Sequence, residues 1–287
     1  MTAVETQGLC KRYPNGVDAV HDLDLSVEAG EIFGFLGPNG AGKTTTVRML
    51  NGSLVPTSGR SMVLGTASQD ELTRRRTATL TEQARMYEKL TVFENLRFFA
   101  ALYDDVGEAR VEELLHRMRL WEKRDARMGT LSTGQKKRAK IARTLLNSPR
   151  IIFLDEPTSG LDPDAASEVT GLIRELARES GTTVFLCTHN LALAERTCDR
   201  FGFIRQGRLV AQGRTEDLIE AATKERRVTI TTTDGDTVVP YVQEKDISGL
   251  IRSVLDRGKH VIEVRRNRPT LEDVYFQHIG RTHHELA

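Results

Sequence analysis

Apolar and polar positions follow two different rhythms along this chain. DLDLSVEAG (22–30) alternates apolar with polar before a glycine stop, the pattern of a half-buried strand, and PNG at 14–16 marks a turn ahead of it. The short runs in EIFGFL (31–36), RIIFL (150–154) and TTVFLCT (182–188) are instead apolar almost throughout. Strands of that kind are buried on both faces and belong to a mostly parallel sheet covered by helices. The helices are predicted between them, after GPNGAG at 37–42, at 165–179 and after His189. A longer helical stretch, about residues 80–145, interrupts the alternation, with ENLRFFAALY and ARVEELLHRMRLW carrying apolar residues at helical spacing. FGFIRQGRLVAQG (201–213) reads as strand, turn, strand.

From about residue 222 the rhythm changes. VTITTTDGDTVVPYV is a hairpin signal around Asp234-Gly235, ISGLIRSVLDRG reads as a helix, HVIEVR as a strand, and PTLEDVYFQHIG as a last helix with proline at its start. The expected organisation is a large α/β domain at 1–220 and a small α+β appendix at 221–287, with RTHHELA frayed at the end.

Composition narrows the function classes. The 287 residues hold 41 Lys and Arg against 40 Asp and Glu, a net charge of +1, which argues against a nucleic-acid binder with a basic excess. The basic runs TRRRT (73–77) and QKKRAK (135–140) are expected to be solvated helix faces. Cys10, Cys187 and Cys198 form no CxxC pair and are expected to be small core residues in a reducing compartment. No run approaches the roughly 18 apolar residues of a membrane helix, and MTAVETQGLCKRY lacks a signal-peptide core. The expectation is a cytoplasmic protein that reaches a membrane only through a partner.

Chemistry enters at Gly37–Thr44, GPNGAGKT, which fits G-x-x-x-x-G-K-[ST] between a strand and a helix. Glycines let successive N–H groups face phosphate oxygens, and the helix adds its positive end. Lys43 is placed to reach the β- and γ-phosphates, and the Thr44 hydroxyl to ligate Mg²⁺. In IIFLDEP, Asp155 and Glu156 fall at the carboxyl end of an apolar strand, where open α/β sheets bind ligands. Asp155 is the second candidate Mg²⁺ anchor, and Glu156 the candidate base for an attacking water. His189 follows another apolar strand and faces the same edge. LSTGQ (131–135) is a capped helix start, a second seat for phosphate.

Taken in order and spacing, GPNGAGKTT, LSTGQ, IIFLDEP, SGLD (159–162) and His189 resemble the nucleotide-binding subunits of ATP-binding cassette (ABC) transporters over about residues 4–215. The resemblance implies a P-loop NTPase fold: a RecA-like, mostly parallel sheet, an N-terminal antiparallel β part and a helical subdomain. It implies ATP and Mg²⁺ as ligands, with Pro38, Asn39, Gly40, Ala41, Gly42 and Thr45 completing the phosphate cradle. Two cassettes then sit head to tail, and the signature of each faces the ATP of the other. On that reading Ser132, Thr133 (where the family has a second glycine), Gly134 and Gln135 serve the partner's nucleotide. Asp162 lies in the loop between sites, His189 holds the γ-phosphate, and Tyr13 either stacks on adenine or packs as a strand-end tyrosine. The loop that presents a glutamine to Mg²⁺ falls on Glu82 or Gln83.

PTLEDVY resembles the tail of ABC-2 group ATPases, which partner a polytopic permease and usually work in export. The expected partners are therefore a second cassette, in a homodimer, and a permease that holds the chain at the inner face of the membrane. Phe98 and Phe99 beside Arg97 either receive that permease or pack in the core. Two other readings compete: a soluble cassette ATPase acting on ribosomes or DNA, and a kinase-like phosphoryl transferase, which leaves LSTGQ and SGLD unexplained.

Overall fold

A computed structural model of the chain describes residues 1–81, 84–222, 226–241, 244–267 and 269–279. It divides into two compact units, Met1–Arg214 and Thr215–Ala287. The boundary expected at 220/221 falls inside a helix, Thr215–Ala222, which belongs to the second unit.

The first unit opens with two long strands, β1 (Thr2–Arg12) and β2 (Asp18–Glu28), followed by β3 (Ile32–Leu36) and α1 (Lys43–Leu50). Then come β4 (Ser58–Val63), β5 (Thr66–Ala67), α2 (Glu71–Arg75) and β6 (Thr77–Leu80). The helical stretch is α3 (Val92–Ala100), α4 (Glu108–Arg117) and α5 (Thr133–Thr144), with short 3₁₀ turns at Trp121–Lys123 and Met128–Thr130. After it the chain alternates: β7 (Ile151–Asp155), α6 (Pro163–Ser180), β8 (Thr183–Thr188), α7 (Leu191–Thr197), β9 (Arg200–Arg205) and β10 (Arg208–Gly213).

Six strands form the central sheet in the order β10-β9-β3-β8-β7-β6, parallel except for the β9–β10 hairpin. β2, β1, β4 and β5 form a separate antiparallel sheet. The apolar runs behave as their composition requires, since every residue of β3, β7 and β8 is buried. Strand periodicity then divides them between two cores. Ile151, Phe153, Phe33, Phe35 and Phe185 face the antiparallel sheet and α1, with the ring of Phe185 5.3–5.7 Å from those of Phe33, Phe35 and Phe153. Ile152, Leu154, Val184 and Leu186 face the other core, with Leu96, Leu114, Ile141 and Ile173 from the helices. This packing brings the carboxyl ends of β3, β7 and β8 to one edge of the sheet.

In the second unit α8 (Thr215–Ala222) precedes β11 (Arg226–Thr232), β12 (Gly235–Tyr241), α9 (Glu244–Leu255), β13 (Val261–Asn267) and α10 (Leu271–Ile279). The sheet order is β12-β11-β13, all antiparallel, and Val228 and Ile230 form a small core with Ile247 and Val254 of α9. The hairpin turn sits one residue earlier than expected: Gly235 pairs with Thr232, so Thr233 and Asp234 form the loop. Pro269 also lies outside the last helix. Thr270 caps it, its Oγ1 accepting from Asp273 N (3.2 Å) while its own N–H donates to Asp273 Oδ2 (2.7 Å). Among the described residues no helix is long and apolar enough to cross a membrane.

Candidate functional site

The loop between β3 and α1 is shaped by close approach of backbones. A Cβ on Gly37 would meet Ile204 O at 2.4 Å, and one on Gly42, where φ is +108°, would meet Ala19 O at 2.5 Å. Both positions therefore exclude any side chain. Gly42 is the N-cap of α1 and offers it no side-chain acceptor, so the first N–H groups of the helix face the loop, as an anion seat requires. Lys43 is buried, and its ammonium donates to the carbonyls of Gly37 (2.7 Å) and Pro38 (3.2 Å). Tyr13 is half-buried and its hydroxyl lies 3.3 Å from Thr45 Oγ1, which ties the end of β1 to α1 beside the loop.

Across from this cradle, β7 ends in Asp155, and Glu156 follows it directly. The Thr44 hydroxyl donates to the buried Asp155 carboxylate (2.9 Å to Oδ2), joining the loop to the acid end of β7, two strands away in the sheet. Glu156 has φ +49°, a left-handed conformation that costs a non-glycine residue about 1–3 kcal/mol. Five hydrogen bonds hold it there. Its N–H donates to Cys187 O (2.9 Å), and its carbonyl accepts from both Lys137 Nζ (3.2 Å) and Ser159 N (3.2 Å). The Thr188 hydroxyl donates to Oε2 (3.1 Å), and His189 Nδ1 lies 2.8 Å from Oε1. Lys43 Nζ is 3.9 Å from the same Oε1. A cation, a carboxylate and an imidazole so converge on one point at the strand ends, a geometry suited to holding a phosphate and deprotonating a water beside it.

Cys187 lies under this cluster. Burial, with the Asp155 carboxylate second, pushes its thiol well above the ordinary value of 9.0. It is a core residue, as expected. Cys198 is half-buried at the edge of the core, with its Sγ over Gly34, and Cys10 is half-buried on β1, where its Sγ accepts from Asp22 N (3.1 Å).

The signature residues form a different feature. Ser132 caps α5 in a reciprocal box: its Oγ accepts from Gln135 N (3.2 Å) and its own N–H donates to Gln135 Oε1 (3.1 Å). Ser132 and Thr133 are exposed, and the Ser132 hydroxyl proton has no acceptor among the described residues. A Cβ on Gly134 would come 3.3 Å from Ala165 Cβ, so the start of α5 abuts the start of α6. That second helix is capped by Asp162, whose Oδ1 accepts from Ala165 N (2.8 Å). Glu82 and Gln83 lie outside the described residues.

One expectation is corrected. QKKRAK is no solvated face, because Lys137 and Arg138 are both buried, Lys137 against Glu156 and Arg138 bonded to Glu168 (3.0 Å) and Met118 O (3.3 Å). Lys137 shares a helix face with the core residues Ile141 and Thr144, the signal that exposes it in retrospect. Thr188, directly before His189 at the strand end, was the other missed group.

The ABC transporter family profile matches residues 20–159. The chain is 35% identical to the Nod factor export ATP-binding protein I of Rhizobium sp. (strain N33), over 97% of each chain. It is 37% identical to a fluoroquinolones export ATP-binding protein of Mycobacterium tuberculosis, over 97% of this chain and 93% of that one. Its structure superposes with a TM-score of 0.66 on an ATP-binding cassette solved as a dimer in a post-hydrolysis state bound to ADP and Pi, at 27% identity, covering 74% of this chain and 98% of that one. With cradle, acid pair and helix caps in place, the chain belongs to the ABC transporter family, as one of its ATP-binding, ATP-hydrolysing subunits.

Proposed function

We propose that this chain is the motor of an ABC-2 type exporter, closing with a second copy of itself around two ATP molecules and driving a separate permease at the inner face of the membrane. The observation that carries this reading is the exposed Ser132 cap, a phosphate seat facing outward from a chain that already holds a complete cradle at Gly37–Thr44. Two seats on one chain suit two ligands gripped across an interface. The dimeric relative and the exporter names of the similar proteins support the same reading over a soluble ATPase working on ribosomes or DNA.

In this mechanism the loop N–H groups and Lys43 bind the β- and γ-phosphates, and Tyr13 faces the adenine. Glu156 takes a proton from a water as its oxygen attacks the γ-phosphorus, the bond to the bridging β-phosphate oxygen breaks, and ADP leaves with that electron pair. His189, held by the same carboxylate, orients the γ-phosphate and the water. The linked oxygens of Thr44 and Asp155 are hard donors of the kind Mg²⁺ takes, so these residues would hold the ion. Bound there, Mg²⁺ would neutralise phosphate charge.

The permease contact is proposed at a groove lined by Ala84, Arg85, Met86, Tyr87, Lys140 and Arg143. Phe99 lies under the Arg143 guanidinium (3.7 Å to the ring), while Tyr87 and Phe98 are about half exposed. Burial lowers the Lys140 pKa, with the neighbouring Lys136 and Arg143 charges adding to it. The segment that fits carries carboxylates beside an apolar anchor.

Size-exclusion chromatography with light scattering tests the central step. Glu156→Gln, with Mg²⁺ and saturating ATP, is expected to elute as a dimer and to return to monomer when ATP is withdrawn. A monomer under both conditions overturns the proposal.

A further inference from the structure

Lys137 belongs to the signature helix, yet it bonds to the acid end of β7. Its buried ammonium donates to the Glu156 carbonyl at 3.2 Å, while Ser132, five residues earlier, caps the exposed start of the same helix. Glu156 is one of six described non-glycine residues held at positive φ, here +49°, and of these it is the one at the strand ends beside the phosphate loop. Its carbonyl belongs to the Glu156–Pro157 peptide and is shared by two donors, Ser159 N from the turn that follows and Lys137 Nζ from α5, so the lysine is the donor that ties it to the signature helix. Turning that peptide changes ψ of Glu156 and so disturbs the backbone that presents the carboxylate to Thr188 and His189.

We propose that Lys137 is a positioning residue that couples the two nucleotide seats of one chain: engagement of Ser132 by one ATP is transmitted along α5 to the alignment of Glu156, which hydrolyses the other. The inference rests on the two-chain reading above. An α-helix is stiff over this distance, about 7.5 Å for five residues, so a displacement of the cap reaches the lysine with little loss. The carboxylate is sensitive to such motion, because general-base catalysis depends on the placement of the base to within about an ångström. No contact between Lys137 and nucleotide is required.

The test uses the full chain with ATP and Mg²⁺. Lys137→Met keeps the buried stem and removes the donor. It is expected to lower kcat about tenfold while the KM for ATP stays within about twofold, and to lower the Hill coefficient for ATP toward one. Lys137→Arg, which keeps a charged donor, is expected to restore most of the rate. In the Glu156→Gln background, Lys137→Met is expected to leave ATP-dependent dimerisation intact. The inference is overturned if Lys137→Met stays within twofold of the parent rate. It is equally overturned if KM rises and dimerisation is lost together, without rescue by arginine, since that marks a structural role. Should Lys137→Met melt below the assay temperature, Lys137→Gln is read against the same limits. If Glu156→Gln alone stays monomeric, the two-chain reading has failed and takes the inference with it; if it dimerises while Lys137→Met hydrolyses normally, the inference alone has failed.

Discussion

His189 Nδ1 and Glu156 Oε1 lie 2.8 Å apart, joining the residue after β8 to the residue after β7. Neighbouring parallel strands end at the same edge, and Thr188 pins the second carboxylate oxygen at 3.1 Å. A base aligned this way loses its function when the carboxylate goes and part of it when the imidazole goes. Glu156→Gln is expected to lower kcat by about 10²–10⁴-fold with little change in ATP affinity, read by phosphate release and nucleotide titration. His189→Ala is expected to lower kcat by a smaller factor in the same direction.

The Thr44–Asp155 bond makes a separate prediction about metal. Thr44→Val removes one oxygen donor and Asp155→Asn removes a charge. Each is expected to raise the Mg²⁺ concentration at half-maximal ATPase rate, Asp155→Asn more strongly, and chelation by EDTA is expected to abolish turnover in the parent chain. Fluorescent ATP binding across a Mg²⁺ titration separates loss of metal from loss of nucleotide.

The thiols of buried Cys187 and half-buried Cys198 predict a pH dependence of stability. Burial raises the pKa of Cys187 and of Cys198 above the ordinary 9.0, so each stays protonated in the fold after the unfolded chain has released its proton. The folded state then binds more protons, and stability falls as pH rises above 9.0, by about 1.4 kcal/mol per pH unit for each thiol. Urea melts from pH 8 to 11 are expected to show a shallower decline for Cys187→Ala/Cys198→Ala. At pH 8 in native buffer, Ellman's reagent is expected to titrate Cys10 at most, and all three cysteines after denaturation.

Charge reversal tests the groove. Lys140→Glu and Arg143→Glu are expected to weaken co-purification with the permease while leaving the ATPase of the isolated chain within about twofold. Double reversal should weaken it more, with a salt dependence flatter than that of the parent complex.

The parts of this molecule that were legible in sequence are those whose cause is local. Apolar runs such as IIFL announce strands buried on both faces, and the Gly37–Thr44 spacing needs only its flanking strand and helix. Asp155, Glu156 and His189 could be placed at one edge because parallel strands end together. The strands within residues 51–80 stayed unread, since β5 has two residues and β4 is exposed over its first half, so neither shows a clear period. Lys137 hid inside a basic run because its burial depends on where β7 ends, a tertiary fact. The left-handed turn at Glu156 hid for the same reason: nothing in DEP marks the acid rather than a glycine as the residue that bends.

The claim on which the account turns is that each ATP is held by two chains, and a crystal or cryo-EM structure of Glu156→Gln with ATP and Mg²⁺ tests it most directly. The account predicts Ser132 Oγ within about 2.5–3.2 Å of a γ-phosphate oxygen of the ATP seated in the partner's Gly37–Thr44 loop. A nucleotide-loaded structure in which Ser132 faces bulk water, with each triphosphate enclosed by a single chain, would contradict it.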